Sequence, residues 1–597
     1  VKPSDIKDPE YFHRVVDCQY ACPAHTPVPE YIRLIAAGRY ADAYMVNWES
    51  NVFPGILGRT CDRPCEPACR RGRLENEEEP VAICRLKRVA ADNKGDIRAR
   101  LPGPADKKNG KRIALVGAGP ASLTVARDLL PLGYDMHIFD EQEKGGGMMR
   151  SQIPAFRLPE EVLYEEVDYI LDMGAVTHFN HYVDSMKTLL AENYDAIFIG
   201  TGAPRGRNLD IPGRREAAAN IHIGIDWLGS VAFGHTEKIG RRVVVLGGGN
   251  TAMDCCRTSR RLGGQDVKVV VRSPFSEMKA SPWEKDDAMR EDIPILDNHV
   301  PKAFVLEDGR LAGVQFEKVQ AEYDSDGRRS LVPTGEPLVT LPCDDVLMAI
   351  GQENSFPWIE RDVGIEFDKW DMPVLDKNTF QTSLPRVFIG GDAALGPENI
   401  ITAVAHGHQA AISIHKFCQG LDVQERLAPG VTLASQRMGM HEWSYDSVIS
   451  HDVRYVVPHA EKAQSLANRK IEVELGFDTG VGYAEAQRCL NCDAQTVFSA
   501  PRCIECDACM DVCPTSCISF TDNGEEEELR TRLSAPAENQ EQALYVADGL
   551  PTGRVMVKDE DVCLHCGLCA ERCPTGAWDM QKFLYHVTKA AEIDKVA

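Results

Sequence analysis

The chain has 597 residues, too many for one hydrophobic core, and its 43% hydrophobic and 26% charged composition is that of a globular protein of several domains. A net charge of −24 argues against nucleic acid as a partner and favours a protein with a basic docking face. It has no run of about 18 apolar residues, so no membrane span is expected.

The predicted elements begin with a helical segment over residues 1–105. It opens on Cys18-x-x-x-Cys22-Pro, continues through helical residues 29–48 and returns to cysteine at Cys61, Cys65, Cys69 and Cys84. Six cysteines in 67 residues fit a [4Fe–4S] site, because soft thiolates suit iron. Zinc is the alternative, disfavoured because paired C-x2-C knuckles are lacking. No signal-peptide pattern opens the chain, and a chain beginning at Val1 is expected to lack its natural first residues. Cysteines at ligand spacing beside nucleotide motifs point to the cytoplasm rather than to a disulfide-forming compartment.

Next comes a strand, glycine turn and helix: Ile113-Ala-Leu-Val-Gly117-Ala118-Gly119-Pro120-Ala121-Ser122. A second strand ends at Asp140-Glu141, 21 residues past Gly119. This is a dinucleotide-binding βαβ unit. The glycines admit a pyrophosphate to the helix N-terminus, and an acid holds a ribose hydroxyl. The pattern recurs at Val243-Val-Val-Leu-Gly247-Gly-Gly249-Asn250-Thr251, and Gly391-Asp392 closes a later apolar strand. Two such folds with a late Gly-Asp resemble the two-dinucleotide flavoproteins. That resemblance implies FAD on the first fold, NAD(P)H on the inserted second, and Gly391-Asp392 at the flavin ribityl and phosphate. The expected domains are a leading FAD segment over 106–235, an NAD(P)H domain over 236–345 and a closing FAD segment over 346–420. The second strand of the NAD(P)H fold ends at Arg272-Ser273 without an acid, which favours NADP(H), with NAD(H) left open. Adjacent Cys255 and Cys256 cannot face each other on a helix, so they read as buried small residues. Cys343, Cys418 and Cys517 also read as structural.

Residues 421–499 form a connector of mixed charge that includes Glu485-Ala-Gln-Arg-Cys489-Leu-Asn-Cys492. In residues 500–597, Cys503-x2-Cys506-x2-Cys509-x3-Cys513-Pro recurs as Cys563-x2-Cys566-x2-Cys569-x3-Cys573-Pro. This is the run of a two-cluster bacterial ferredoxin, in which each fourth cysteine ligates the other run's cluster. The acidic stretch between the runs, around 525–542, is expected to be a solvated loop.

The first 105 residues resemble the N-terminal domain of the glutamate synthase small subunit, of dihydropyrimidine dehydrogenase and of NADH-dependent ferredoxin:NADP oxidoreductase. The match continues through Gly146-Gly147-Met148-Met-Arg150, Ile153-Pro-Ala-Phe-Arg-Leu-Pro159, Gly200-Thr201-Gly202 and Gly391-Asp392. The fused ferredoxin makes the whole similar to the third subunit of 2-oxoacid:acceptor oxidoreductases and to the flavoprotein paired with dissimilatory sulfite reductase. The resemblance implies an α/β chain: a helical iron–sulfur domain, two Rossmann-like domains with the NAD(P) domain inserted in the FAD domain, and a ferredoxin-like α+β domain. It places Val183 near the adenine, and Thr402 and Ala403, on a helix starting near Asn399, at the flavin pyrimidine. It assigns Cys22, Cys61 and Cys65 to one cluster, with Cys84 the best local fourth ligand, and Cys18 and Cys69 to another. The C-x2-C pair that precedes Cys18 in the family is missing, and Cys489 and Cys492 are the hypothesised replacement.

The implied function is an FAD- and [4Fe–4S]-dependent NAD(P)H:acceptor oxidoreductase, an electron-transfer subunit for a catalytic redox partner. A free-standing NAD(P)H:ferredoxin oxidoreductase served by soluble ferredoxin, a glutamate synthase small subunit, and a non-enzymatic iron–sulfur module are the alternatives. Hydride transfer to flavin needs no general acid or base, so no catalytic side chain is expected.

Overall fold

A computed structural model describes residues 2–73, 79–439, 442–443, 450–535 and 540–593. The chain forms two compact units. One joins Arg98–Gln424 with Pro458–Leu475, and the other gathers Val1–Ile97, Glu425–Val457 and Gly476–Ala597.

The dinucleotide unit holds two five-stranded parallel sheets. The first runs Val387–Ile389, Ala196–Ile199, Arg112–Val116, Asp135–Phe139, Val176–His178. Ala196–Ile199 and Val387–Ile389 are apolar throughout and buried at every position, as parallel strands covered on both faces are. Val116 pairs with Phe139, so the next residues, Gly117 and Asp140, meet at the same sheet edge. The helix Ile400–Gln419 crosses the helix Pro120–Leu129 at Gly407, where a side chain would strike Thr124 and the Ala121 carbonyl.

The second sheet runs Ile221–Ile223, Asp345–Met348, Arg242–Leu246, Asp266–Val270, Ile295–Leu296. Two sequence boundaries therefore move. Ile221–Ile223, expected in the leading FAD segment, pairs with Asp345–Met348 in the nucleotide sheet, and Asp345–Met348 straddles the 345/346 boundary. The chain crosses between sheets at the paired strands Arg205–Gly206 and Gln352–Glu353. A three-residue strand beyond any glycine motif carries no signal strong enough to move a boundary. Antiparallel strands from His299 to Pro342 form a separate sheet.

In the other unit, the helices Val28–Ala36 and Ile83–Asp92 pack against Thr479–Ala486 from the connector. Buried Glu485 accepts the Ala82 N–H at 2.8 Å and the Tyr455 N–H at 3.0 Å. Arg33 grips Asp493 with both guanidinium nitrogens at 2.6 and 2.5 Å. The single expected connector is thus divided. Pro458–Leu475 belongs to the dinucleotide unit, where the Val473 N–H donates to the Phe156 carbonyl at 2.9 Å.

The ferredoxin segment supplies one three-stranded sheet of its own, Ile518–Asp522, Arg554–Lys558, Tyr545–Val546. In a second sheet Trp578–His586 pairs with Ala494–Phe498 and with Gly430–Ser435. The acidic stretch is not a solvated loop where it is described. Glu526–Arg532 is a helix whose Leu529 packs with Leu533, Leu544, Val546, Val555 and Val557. Residues 536–539 lie outside the described residues. Among the described residues no helix is long and apolar enough to cross a membrane.

Candidate functional site

Gly117, at φ +97°, lies against the Gly200 carbonyl, where a side chain would collide. This contact stacks Gly200-Thr201-Gly202 over the first turn. Ser122 is fully buried against Gly200, so a serine serves as the third small residue of the motif. The helix begins at Pro120, with Ala121 buried behind it, and its first N–H groups face the turn. The Gly146 N–H donates to the Ala118 carbonyl at 2.9 Å, and Gly147 abuts Gly119, so the Gly147-Met148 corner closes over the same turn.

Asp140 Oδ2 accepts the Ala118 N–H at 2.7 Å and its Oδ1 accepts the Gln142 N–H at 2.8 Å, while burial raises its pKa. Glu141 beside it is exposed. Arg150 donates to the Gly145 carbonyl at 2.7 Å and stacks over Tyr164, which holds its own loop. Val183 is half-buried on the loop after Val176–His178, and no bond joins it to the turn among the described residues. Across the turn, burial lifts the Asp392 carboxyl to about 6. Asn399 caps the helix Ile400–Gln419, accepting from the Thr402 N–H at 3.0 Å and the Thr402 hydroxyl at 2.9 Å, so Thr402 serves the cap. Among the described residues, the buried hydroxyls of Ser122 and Thr201 have no hydrogen-bond partner. Unpaired polar atoms beside a glycine cradle fit a bound flavin nucleotide.

At the second turn, Gly247 lies against the Ala349 carbonyl, and open space fronts Gly249. The Asn250 side chain accepts the Ser281 N–H at 2.8 Å, and the Ala280 N–H donates to the Gly248 carbonyl at 2.9 Å. These bonds hold the 278–281 loop to the turn. Thr251 is half-buried in the first helical turn, Arg272 is exposed past Asp266–Val270, and Ser273 is half-buried. Exposed Lys279 rides on the pinned loop. Burial raises the thiol pKa of both Cys255 and Cys256. Both cysteines sit in the core, and none of the 21 cysteines is paired in a disulfide.

The ligand-spaced thiols gather into four sets. Cys84 is hydrogen-bonded to both Cys61 and Cys65, and buried Lys87 faces them and Cys22 together. A buried ammonium among thiols fits a thiolate-bound, net-negative group. Cys18 faces Cys69, Cys489 and Cys492, and the four line one pocket. Burial pushes the Cys489 thiol up to about 12, so ionisation there requires a compensating cation such as iron. Cys573 joins Cys503, Cys506 and Cys509 in lining one pocket, and Cys513 joins Cys563, Cys566 and Cys569.

One local geometry recurs. Arg63, Asn491, Glu505 and His565 all have positive φ, 52–58°. Each donates its N–H to the sulfur two residues earlier, Cys61, Cys489, Cys503 and Cys563, at 3.3–3.5 Å. The connector loop at Cys489 therefore has the turn of the two ferredoxin loops. Cys517, read as structural, lies 3.5 Å from Cys513 and is hydrogen-bonded to Cys563. Its position four residues past Cys513 was the available signal.

Three family profiles cover these regions. That of dihydropyrimidine dehydrogenase domain II, with a 4Fe-4S cluster, matches residues 13–98. The pyridine nucleotide-disulphide oxidoreductase profile matches 111–407 and a 4Fe-4S dicluster domain matches 502–577. The NADP(+)-dependent formate dehydrogenase subunit beta of Moorella thermoacetica is 34% identical, over 80% of this chain and 70% of its own length. The NADPH-Fe(3+) oxidoreductase subunit beta of Geobacter sulfurreducens is 30% identical, over 82% and 77%. The glutamate synthase [NADPH] small chain of Escherichia coli is 32% identical, over 67% and 88%. With both nucleotide turns and the thiol sets in place, the chain belongs to the iron–sulfur flavoprotein family of these proteins and is an FAD-, NAD(P)H- and [4Fe–4S]-dependent oxidoreductase.

Proposed function

We propose that the chain is the NADPH-handling subunit of a larger redox complex and holds four [4Fe–4S] clusters. The observation that carries this is the meeting of Cys489 and Cys492 with Cys18 and Cys69 on a ferredoxin-type turn. When bound, the flavin exchanges two electrons with the nicotinamide and single electrons with the clusters. The chain's residues position these groups. The N–H groups of Gly119 and Ala121 at the first turn and of Gly248–Thr251 at the second receive pyrophosphates, and Asp140 braces the flavin turn with Glu141 beside it. Gly147, Met148, Thr201, Gly202, Gly391 and Asp392 line the flavin side. The cap made by Asn399 and Thr402 directs a 20-residue helix whose positive end favours the reduced, anionic flavin. Arg272 and Lys279 are the candidates for a 2′-phosphate.

The beta-subunit names of two relatives support a partner subunit in the same complex. A 2-oxoacid oxidoreductase or a sulfite reductase remains the expected partner class, read from the fused ferredoxin. A pull-down from native extract tests it: recovery of the chain alone would sink the subunit reading. Iron analysis tests the clusters, because four need about sixteen irons and three about twelve. If Cys489→Ser with Cys492→Ser leaves iron content unchanged, the fourth cluster is wrong.

A further inference from the structure

The two ferredoxin loops differ at one equivalent position. Glu505 and His565 each stand third in a C-x-x-C loop, with the same left-handed backbone and the same N–H···S bond. Glu505 turns into its own domain, bonding the Thr552 N–H at 3.2 Å and Arg554 at 3.2 Å. His565 is buried, and its Nδ1 donates to the carbonyl of Cys492 at 3.1 Å. A residue inside one ferredoxin loop thus touches a member of the Cys18 set.

The contact is reciprocal. Arg70, directly after Cys69, donates to the carbonyl of Cys563 at 3.1 Å and is held by Asp17, directly before Cys18. Each thiol set therefore sends one side chain onto a ligand carbonyl of the other. Among the described residues no such bond joins the Cys503 set to the Cys18 set. Its loop exposes Ile504, at 61%, where the other loop's Leu564 is half-buried, while Cys506 and Cys566 are exposed alike.

Building on the four-cluster reading, we propose that His565 and Arg70 bridge the Cys18/Cys69/Cys489/Cys492 set to the Cys563/Cys566/Cys569/Cys513 set. The latter is then the inner ferredoxin cluster, and the Cys503/Cys506/Cys509/Cys573 cluster is the outer one that meets the redox partner. Each transfer moves one electron: the donor set is oxidised by one, the acceptor set is reduced by one, and no proton or co-reactant is consumed. Electron transfer falls steeply with distance and favours bonded paths, and the two bridges supply such a path on one side of the ferredoxin domain only.

The test uses the full chain, loaded anaerobically and mixed with NADPH. Samples are freeze-quenched and reduced clusters counted by electron paramagnetic resonance, with dithionite-reduced samples as the reference. Cys506→Ala should leave the inner cluster reducible by NADPH. Cys566→Ala should leave the outer cluster oxidised under NADPH yet reducible by dithionite. An outer cluster that NADPH still reduces at the wild-type rate in Cys566→Ala overturns the order. His565→Leu, with iron content kept, should slow outer-cluster reduction by about tenfold or more, and His565→Gln, which restores a donor to the Cys492 carbonyl, should recover it. Unchanged reduction in His565→Leu overturns the bridge. The two readings fail differently. Full iron in the Cys489→Ser, Cys492→Ser double variant sinks the four-cluster reading. Iron reduced by about four there, with the outer cluster still reduced in Cys566→Ala, sinks only the route.

Discussion

Asp140 and Glu141 stand together where the second strand of a dinucleotide fold ends in an acid. Asp140 is the acceptor for the Ala118 N–H, and a hydrogen bond to a charged group contributes about 1.5–3 kcal/mol. Asp140→Ala should therefore weaken FAD retention by roughly ten- to a hundredfold, read as flavin remaining after anaerobic gel filtration. If Glu141→Ala loses more flavin than Asp140→Ala, the exposed acid holds the ribose and Asp140 only braces the turn. At the second turn, Arg272→Ala and Lys279→Ala should each lower kcat/KM for NADPH more than for NADH in dye reduction, and together by about tenfold or more. A wild-type protein that prefers NADH tenfold, about 1.4 kcal/mol, would show that neither cation reads a 2′-phosphate. Glycine spacing exposed both turns in the sequence because the backbone geometry demands glycine locally. Lys279 was not legible, since only the Ala280 and Asn250 bonds bring its loop to the turn.

At the scale of elements, the connector helix Thr479–Ala486 and the loop after it are anchored by the buried Arg33–Asp493 pair, one residue past Cys492. Removing one partner of a buried pair costs about 3–5 kcal/mol, because the other charge is left uncompensated. Arg33→Ala should thus lower iron content by about four per chain, whereas Arg33→Met with Asp493→Leu should recover most of it. Equal iron in Arg33→Ala and wild type would mean that the loop is held without the pair. The ferredoxin runs were legible because their ligands lie within eleven consecutive positions, Cys503–Cys513 and Cys563–Cys573. The site of His565 was not, because it is defined by Cys492 far along the chain, and that of Lys87 was only half legible, because Cys84 is near it in sequence while Cys61, Cys65 and Cys22 are not. The strand Ile221–Ile223 escaped for a different reason: three residues carry too little periodicity to be assigned to a sheet.

At the scale of the molecule, the two units use the chain differently. The dinucleotide unit is nearly continuous, Arg98–Gln424 with Pro458–Leu475, so a fragment of residues 98–475 should reduce an artificial dye with NADPH. A fragment of residues 1–420 removes Cys489 and Cys492 from beside Cys18 and Cys69, and should carry no more than about four irons, counted colorimetrically. Finding eight in that fragment would show that the N-terminal thiols need nothing from the connector. In the other unit, the four thiols of one set are drawn from widely separated positions, Cys18, Cys69, Cys489 and Cys492. Cys492 lies 423 positions after Cys69 (492 − 69), so at about 5–20 residues per second a ribosome needs roughly 20–85 s to supply the missing pair. Throughout that interval the nascent chain exposes half a set of soft ligands. On the four-cluster reading, iron delivery to this position has to wait until Cys492 has been made, and a chain released before that point is marked by the cluster it cannot complete.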